Sequence, residues 1–474
     1  MEKQEEGRVR RERGLGRRRV LIASVAGCAV LGGVLVLLPR ERSAQPAAPS
    51  PGALALEAVG SGVPATLPGL AELIEERREA VRARPRDATS WAVLGAAYVE
   101  RGRRLADPAY YPRAEKALRT SLSVRPERNT RALAGLAALS NARRDFRAAR
   151  RWGEAALKLE PRRWATYPLL IDAYGGLGEY KAAKRTLDRL TGLRSGPAVL
   201  ARAAGVYRDR GWQEDAAASL TDAAAGARAP VERAAYLERA GQLAFDRGDL
   251  DVALRHFREA VRLDPDQGAA RAGQGRTLAA LGRTAQAQQA YRAALAVQPC
   301  PRYALELGEL HESLGMPEAA RERYGLLRER VRRAAAAGAD EGLVLGRFEA
   351  DHGDPKAAVR RLRAEWKLRP ATEVADALAW ALHRAGDHEE ALRYALTATR
   401  PEPGGGALDA MFMYHRGMIE QALNRPGAAR RHLTTALRLN PRFSPLHAPA
   451  ARAALDALGD PPDEGVPEMD SGAG

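Results

Sequence analysis

The sequence is poor in cysteine and in aromatic residues. Its 474 residues include 2 cysteines, Cys28 and Cys300, and aromatic residues make up 5% of the chain. Two cysteines provide no disulfide framework for an exported domain, although export does not require one. Hydrophobic residues still reach 45%, which is typical of helices that pack closely through alanine and leucine.

The sequence also lacks a motif for catalysis or metal binding. His383 and His388 fall on either side of a predicted turn, so they are not paired on one helix face. The glycine clusters at 175–178 and 273–275 are not followed by the Lys-Ser or Lys-Thr of a phosphate loop. Ser61 lies between two glycines without a strand-to-helix context. We therefore predict no enzyme activity, no cofactor and no metal.

Negative charge is in the minority. Lysine and arginine total 75 against 59 aspartates and glutamates, which gives a net charge of +16. The basic residues are interspersed with acidic ones, as in residues 318–323, and this pattern favours solvated helix faces over a nucleic-acid interface. No specific nucleic-acid partner is expected from it.

What the sequence does contain is a phrase that recurs with a period of 34 residues. Residues 247–253 return as residues 281–287, and Phe257, Ala260 and Pro265 return as Tyr291, Ala294 and Pro299. In each unit a glycine ends one helix, a small residue lies where two helices touch, an aromatic residue fills the adjacent gap, and a proline stops the second helix. Such units are helical hairpins, which bury their apolar faces only by stacking.

This phrase resembles the tetratricopeptide repeat family. Ten units can be placed between about residues 88 and 442, although the third, fourth and eighth depart most from the family pattern. The resemblance implies an all-α fold, a right-handed α-solenoid of about ten hairpins, with no catalysis of its own. It also implies a concave groove that binds other proteins.

Both ends of the predicted solenoid, residues 69–458, carry a candidate capping helix. The first runs from Leu70 to Arg84 and the last from about Pro445 to Leu458, and both show amphipathic spacing. A solenoid needs such helices to cover its terminal apolar faces. Residues 459–474 are rich in proline, glycine and acidic residues, and we predict a disordered tail there.

One segment outside the repeats has the length of a membrane span. Residues 20–38 carry no charge, and as a helix they measure about 28 Å, close to the hydrocarbon thickness of a bilayer. The basic tail at 1–19 predicts a cytoplasmic N-terminus, with the repeats outside the cytoplasm. Residues 39–68, rich in proline, alanine and glycine, are then predicted to be a flexible tether.

Processing signals compete with this retained signal anchor. Residues 17–21 fit a twin-arginine motif, and residues 25–28 resemble a lipoprotein lipobox ending at Cys28. Because the apolar run continues for ten residues after Cys28, a cysteine within a membrane helix is the favoured interpretation. The prediction is a single-pass protein of the cell membrane.

The phase of the repeat predicts which residues face the groove. With the small residue of each first helix at position 8, positions 2, 5, 9 and 12 point into the groove of similar proteins. The candidate partner-binding residues at these positions are Gln242, Phe245, Arg276, Glu309, Arg347, Trp380, His383, Tyr414 and Met418. Trp380 and Tyr414 either anchor an apolar peptide or pack against the final capping helix, and the sequence leaves both open.

Two functions follow from these patterns. The first is a membrane-tethered scaffold outside the cytoplasm whose groove binds a protein or peptide. The alternative is a regulator that faces the cytoplasm and binds nucleic acid or anionic lipid through its basic surface. The identity of the partner and the oligomeric state are not predicted.

Overall fold

A computed structural model describes residues 48–399 and 409–459, and within these ranges it contains 23 α-helices, one 3₁₀ helix and no strand. The helices before the middle of the chain are α1 Pro51–Ser61, α2 Leu67–Ala83, α3 Ala88–Leu105, α4 Tyr110–Val124, α5 Thr130–Ala142, α6 Phe146–Leu159, the 3₁₀ helix Trp164–Thr166, α7 Tyr167–Gly176, α8 Tyr180–Leu193, α9 Pro197–Asp209, α10 Gln213–Gly226 and α11 Pro230–Asp246. They are followed by α12 Leu250–Leu263, α13 Gly268–Ala280, α14 Thr284–Val297, α15 Pro301–Ser313, α16 Pro317–Ala336, α17 Gly342–His352, α18 Pro355–Leu368, α19 Thr372–Arg384, α20 His388–Thr399, α21 Ala410–Ala422, α22 Pro426–Leu439 and α23 His447–Leu458.

Consecutive helices pack in pairs, and the ten pairs from α3–α4 to α21–α22 are the ten predicted hairpins. The fifth hairpin shows why the recurring residues are needed. Gly248 ends α11 with φ of +80°, a left-handed conformation that glycine adopts without strain. A β-carbon at Gly241 would lie 2.9 Å from the ring of Phe257, so only glycine lets α11 and α12 approach this closely. The predicted all-α solenoid of hairpins is confirmed.

The two capping helices are also present. Helix α2 begins three residues before the predicted start at Leu70, and α23 begins two residues after Pro445. Leu70 and Leu73 of α2 are completely buried against the first hairpin. Covering the end of the array in this way removes an apolar face from water.

Part of the segment predicted to be a flexible tether is helical instead. Helix α1 starts at Pro51, and Ser50 accepts a hydrogen bond from the amide of Ala53. Proline at the first helical position, a serine cap before it and left-handed Gly62 after it are ordinary helix-end signals. Ala55 is buried against α2. The prediction of a tether over 39–68 is therefore wrong for α1, because alanine-rich sequence between these caps forms a helix.

The remaining terminal predictions lie outside the described residues. These are the basic tail at 1–19, the membrane span at 20–38, the start of the tether and the acidic tail, which the structure describes only at Gly459. None of the helices within the described ranges has both the length and the apolar character of a membrane span.

The array coils until hairpins far apart in sequence touch each other. We call this set of contacts between distant hairpins the seam. One polar contact of the seam joins Arg104 at the end of α3 to Asp264 after α12, with guanidinium nitrogens 2.7 and 3.1 Å from the two carboxylate oxygens. Both side chains are buried. Charge-assisted pairs with two parallel hydrogen bonds are strong and geometrically specific.

The seam continues along the array. The amide of Asp340 donates to the carbonyl of Arg143 at 3.0 Å. Tyr180 and Thr372 share a hydrogen bond of 3.0 Å between their hydroxyls. Further along, Nδ2 of Asn440 donates to the carbonyl of Phe245 at 2.7 Å. The second, third and fifth hairpins are thereby joined to the loop before the eighth hairpin and to residues beyond it, so the coil closes around its own concave side.

Candidate partner-binding cavity

The closed coil surrounds a cavity of about 960 Å³, which we call the central cavity. Its walls come mainly from the first helices of hairpins three to ten, and α23 contributes at one end. Eight arginines and nine carboxylates line it: Arg202, Arg208, Arg239, Arg276, Arg302, Arg347, Arg442 and Arg452, with Asp172, Asp209, Asp246, Glu306, Glu309, Asp351, Glu373, Asp376 and Asp409. This near balance of charge distinguishes the central cavity from the basic chain as a whole.

Part of the cavity floor is a hydrogen-bonded network between the fifth, sixth and seventh hairpins. Nη2 of Arg276 lies 2.8 Å from Oε1 of Glu306, and Nε of Arg302 lies 2.8 Å from the same oxygen. Tyr291 donates its hydroxyl to Glu306 at 3.0 Å, and Arg276 also donates to Gln242. Although burial opposes the change, the two arginines lower the pKa of Glu306. These charges are satisfied within the protein.

Four arginines of the cavity form no ion pair with the described residues. Arg442 and Arg452 donate to backbone carbonyls at 2.8 and 2.9 Å, whereas Arg239 and Arg347 have no such close partner. Arg239 makes only a long contact of 3.4 Å with the carbonyl of Ala201. Arg347 makes no hydrogen bond to the described part of the chain, although it lines the cavity. Desolvation inside the coil, followed by the charge of Arg202, lowers the pKa of Arg239. The side chain of Arg239 nevertheless keeps contact with solvent in the cavity.

Two aspartates of the cavity are likewise without an arginine, lysine or histidine partner in the described residues. Asp246 accepts a hydrogen bond of 2.6 Å from Nε2 of Gln242. Asp409 accepts only from the backbone amides that follow it in α21. Burial, and next the charge of Asp409, raise the pKa of Asp246 to about 6. The cavity thus presents both cationic and anionic groups that form no direct ion pair within the described protein.

Six of the nine predicted groove residues line the central cavity: Gln242, Phe245, Arg276, Glu309, Arg347 and Trp380. His383, Tyr414 and Met418 do not line it. His383 stacks on Trp380 with ring centroids 5.0 Å apart, and Tyr414 is buried. Met418 packs against the hydrophobic core formed by the last hairpins.

The positions predicted to face the groove do reach the cavity. Residues at positions 2, 5, 9 and 12 of the first helices line it, among them Arg302, Asp376 and Phe245. Positions 6 and 13 line it as well. Tyr414 and Met418 do not, because they pack in the hydrophobic core of the last hairpins.

The residues that sequence reasoning missed are mostly charged. They are Arg202, Arg239 and His415 at position 6, and Asp246 and Asp351 at position 13. A signal for them is present in the sequence, since arginine occupies the same repeat position in the fourth and fifth units. A charge at a fixed position of successive units indicates a shared surface.

Trp380 and Tyr414 belong to the core beside the final capping helix. Their exposed fractions are 5% and 3%. Trp380 stacks on His415 at 4.3 Å and donates from Nε1 to Asp351 at 2.9 Å. The ring of Tyr414 lies 5.2 Å from that of His447, which is part of α23. Of the two alternatives, the geometry matches packing against the capping helix.

The described residues contain neither a candidate metal site nor an activated thiol. No group of three His, Cys, Asp or Glu side chains in the described ranges converges as metal ligands. Burial raises the pKa of the Cys300 thiol to about 11, so this cysteine is mostly protonated at neutral pH and a poor nucleophile. The arrangement is suited to holding a ligand through charge and hydrogen bonds.

Comparison with known proteins agrees with the fold. Residues 244–306 match the model of the tetratricopeptide repeat family. A comparison with curated proteins gives no match. Over these residues the chain is similar to tetratricopeptide repeat proteins, which typically act as non-enzymatic scaffolds that bind other proteins.

Several solved structures are similar in part. pilF of Pseudomonas aeruginosa is 20% identical, covers 44% of this chain and 94% of its own, and gives a TM-score of 0.35. A tetratricopeptide repeat protein from Parabacteroides merdae is 17% identical, with coverages of 56% and 99% and a TM-score of 0.32. Human IFIT1, solved as a dimer with PPP-AAAA, is 17% identical, with coverages of 82% and 91% and a TM-score of 0.44. At these TM-scores the similarities carry no inference about function.

Proposed function

We propose that this protein is a non-enzymatic scaffold that holds a segment of a protein or peptide partner in its central cavity. The observation that carries the proposal is the set of charged side chains there that form no ion pair with the described residues, Arg239, Arg347, Asp246 and Asp409. Enclosing a charge without an ion-pair partner costs free energy. A partner segment that carries charges of both signs would satisfy them.

The balance of charge supports a polypeptide over a polyanion. Nucleic acid binding depends on an excess of lysine and arginine facing the phosphates. The cavity instead offers nine carboxylates beside its eight arginines. A peptide, whose side chains and backbone provide donors, acceptors and both charges, is the ligand class that this surface suits best.

We further propose that the scaffold is tethered to the cell membrane through residues 20–38, with the repeats outside the cytoplasm. Support comes from the uncharged run and from the eight basic residues that precede it. Reporter fusions after residue 459, one active only inside and one only outside the cytoplasm, test this topology. Activity of the inside reporter would refute the extracytoplasmic placement and favour the alternative of a cytoplasmic-facing regulator.

Partner capture can be tested with a matched pair of positions. Gly205 lines the central cavity and Gly325 lies on the exposed side of α16, and a β-carbon at either position meets no other atom within 4 Å. A photo-crosslinking amino acid is introduced at each position in the full-length protein in its native membranes. We expect one defined polypeptide to crosslink to position 205 and not to position 325.

The variant Arg239→Gln adds a second readout. It removes the unpaired guanidinium and keeps a polar side chain, so we expect the crosslink at position 205 to weaken while the melting temperature is unchanged or higher. Equal crosslinking at positions 205 and 325, or no effect of Arg239→Gln on capture, would contradict binding in the central cavity.

A further inference from the structure

We propose that the central cavity is reached along the axis of the coil, so that it accepts only an extended segment with a free chain end. This inference rests on the proposed function and names the kind of partner that the cavity admits. A folded domain, or a loop whose two ends are both held in folded structure, is excluded unless the seam opens.

The first step of the argument is the extent of the seam. Contacts between distant hairpins occur at the first, second, third, fifth and sixth hairpins. Between the polar contacts the backbones also meet. A β-carbon at Gly178 would lie 2.5 Å from the carbonyl oxygen of Pro370, and one at Gly248 would lie 3.0 Å from that of Leu439. Contacts this close leave no lateral slot for a polypeptide at these points.

The second step is the cost of opening. Arg104 and Asp264 are both buried where they pair, and Asn440 is buried where it bonds to the carbonyl of Phe245. Ala334 and Ala339 pack in one apolar cluster with Val99 and Leu136 of the first two hairpins. Opening the seam therefore separates a buried ion pair, leaves buried polar groups without hydrogen-bond partners and exposes apolar surface, all at the same time.

The third step is size. A cavity of about 960 Å³ holds roughly thirty water molecules at about 30 Å³ each. That volume accommodates a few residues of an extended chain and is far too small for a folded domain. The mixed polar lining is suited to the exposed backbone and side chains of such a chain.

The experiment measures how fast a cysteine in the cavity reacts with polypeptides of different shape. The full-length protein carries Cys28→Ala and Cys300→Ala, together with either Gly205→Cys in the cavity or Gly325→Cys outside it. Each reagent is an unstructured Gly/Ser polypeptide of about 40 residues, with a reach of roughly 35 Å. The maleimide is placed at one end, at the centre with both ends free, or at the centre with a folded domain fused to each end.

For Gly205→Cys we expect the two reagents with free ends to react, and the reagent blocked at both ends to react slower by about 100-fold or more, since its reaction requires the seam to open. Gly325→Cys should react with all three at similar rates. Adding Arg104→Ala to Gly205→Cys should speed up the blocked reagent selectively.

Two results would overturn the inference. One is that the reagent with a folded domain at each end modifies Gly205→Cys as fast as the reagent that also carries its maleimide at the centre but has both ends free. The other is that no reagent reaches the cavity. Neither result depends on identifying the partner, so failure here is distinct from failure of the crosslinking test of the proposed function.

Discussion

At the scale of single residues, Trp380 shows how a repeat position can serve two purposes. It is at position 9, which faces the cavity, yet its ring is enclosed by His383, His415 and His447. Its Nε1 atom is satisfied by Asp351. The side chain therefore closes one end of the cavity wall while belonging to the core.

We predict that Trp380→Ala and Tyr414→Ala each lower the free energy of unfolding by about 3–5 kcal/mol, because each substitution leaves a cavity in a packed core. Denaturant unfolding followed by circular dichroism measures this loss. Trp212→Ala is the control, because the Trp212 side chain is 42% exposed and its loss should cost less than about 1 kcal/mol. If Trp380→Ala lowers the free energy of unfolding only slightly, Trp380 is not a core residue and the alternative of a peptide anchor is favoured.

At the scale of elements, the seam pair joins helix α3 to the turn after α12. We predict that Arg104→Ala destabilises the protein by about 3–5 kcal/mol, because it leaves the carboxylate of Asp264 buried and unpaired. The double variant Arg104→Met with Asp264→Leu should recover most of this loss, since neither residue then buries a charge. Urea unfolding of the three proteins measures both effects.

The control for the seam pair is its neighbour. Arg103 pairs with Glu100 at 2.8 Å but is 52% exposed, so Arg103→Ala should change stability by less than about 1 kcal/mol. Small-angle scattering of Arg104→Ala should also show a larger radius of gyration than that of the wild-type protein. An unchanged radius with unchanged stability would mean that Arg104 and Asp264 do not hold the two parts of the coil together.

A buried carboxylate close to the seam predicts a dependence on pH. Burial, and then the nearby carboxyl group of Asp340, raise the pKa of Glu365 to about 7, although Arg369 opposes the shift. A glutamate titrates near 4.3 in an unfolded chain, so the folded protein holds this proton more tightly. The free energy of unfolding should therefore increase as the pH falls from about 7 to about 4.3. This gain is lost as the pH rises back through about 7.

We predict that protonation of Glu365 changes the free energy of unfolding by about 1–3 kcal/mol across this pH range. Glu365→Gln keeps a hydrogen-bonding side chain beside Arg369 and cannot ionise, so it should be more stable than wild type at pH 8 and similar at pH 5. Thermal unfolding across that range measures the difference. Glu322→Gln, at an exposed position, is the control and should show the wild-type dependence of stability on pH. If Glu365→Gln also shows the wild-type dependence, a group other than Glu365 causes it.

At the scale of the whole molecule, the repeat predicted the hairpins because it specifies local packing. Gly241, Phe257 and Gly248 each meet a need inside one unit, and their spacing is visible in any single repeat. Positions 2, 5, 9 and 12 of the first helices line the cavity, but positions 6 and 13 line it as well, and the prediction left these out. Arginine at position 6 of two successive units, Arg202 and Arg239, is the signal in the sequence that indicates this additional row.

The seam was not predictable by the same reasoning. Whether Arg104 meets Asp264 depends on the total rotation of the array, to which each of the hairpins between them adds a small part. This total cannot be read from the sequence of a single unit. Helix α1 was missed for a different reason. Its composition is typical of a linker, and only the ends, Ser50 and Gly62, indicate a helix.

The seam also has a consequence for how the protein is made. Arg104 and Asp264 are separated by 160 residues, and a ribosome adding about 5–20 residues per second needs roughly 8–32 s to bridge that distance. Hairpins one to four can stack as they leave the ribosome. During this interval the guanidinium of Arg104 lacks Asp264, its partner in the seam, so the seam is not yet formed. The last seam contacts, from Asn440 to the carbonyl of Phe245 and from Arg442 to the carbonyl of Ala280, form only when nearly the whole chain has been made, so closure is a late event that follows synthesis of the final hairpin.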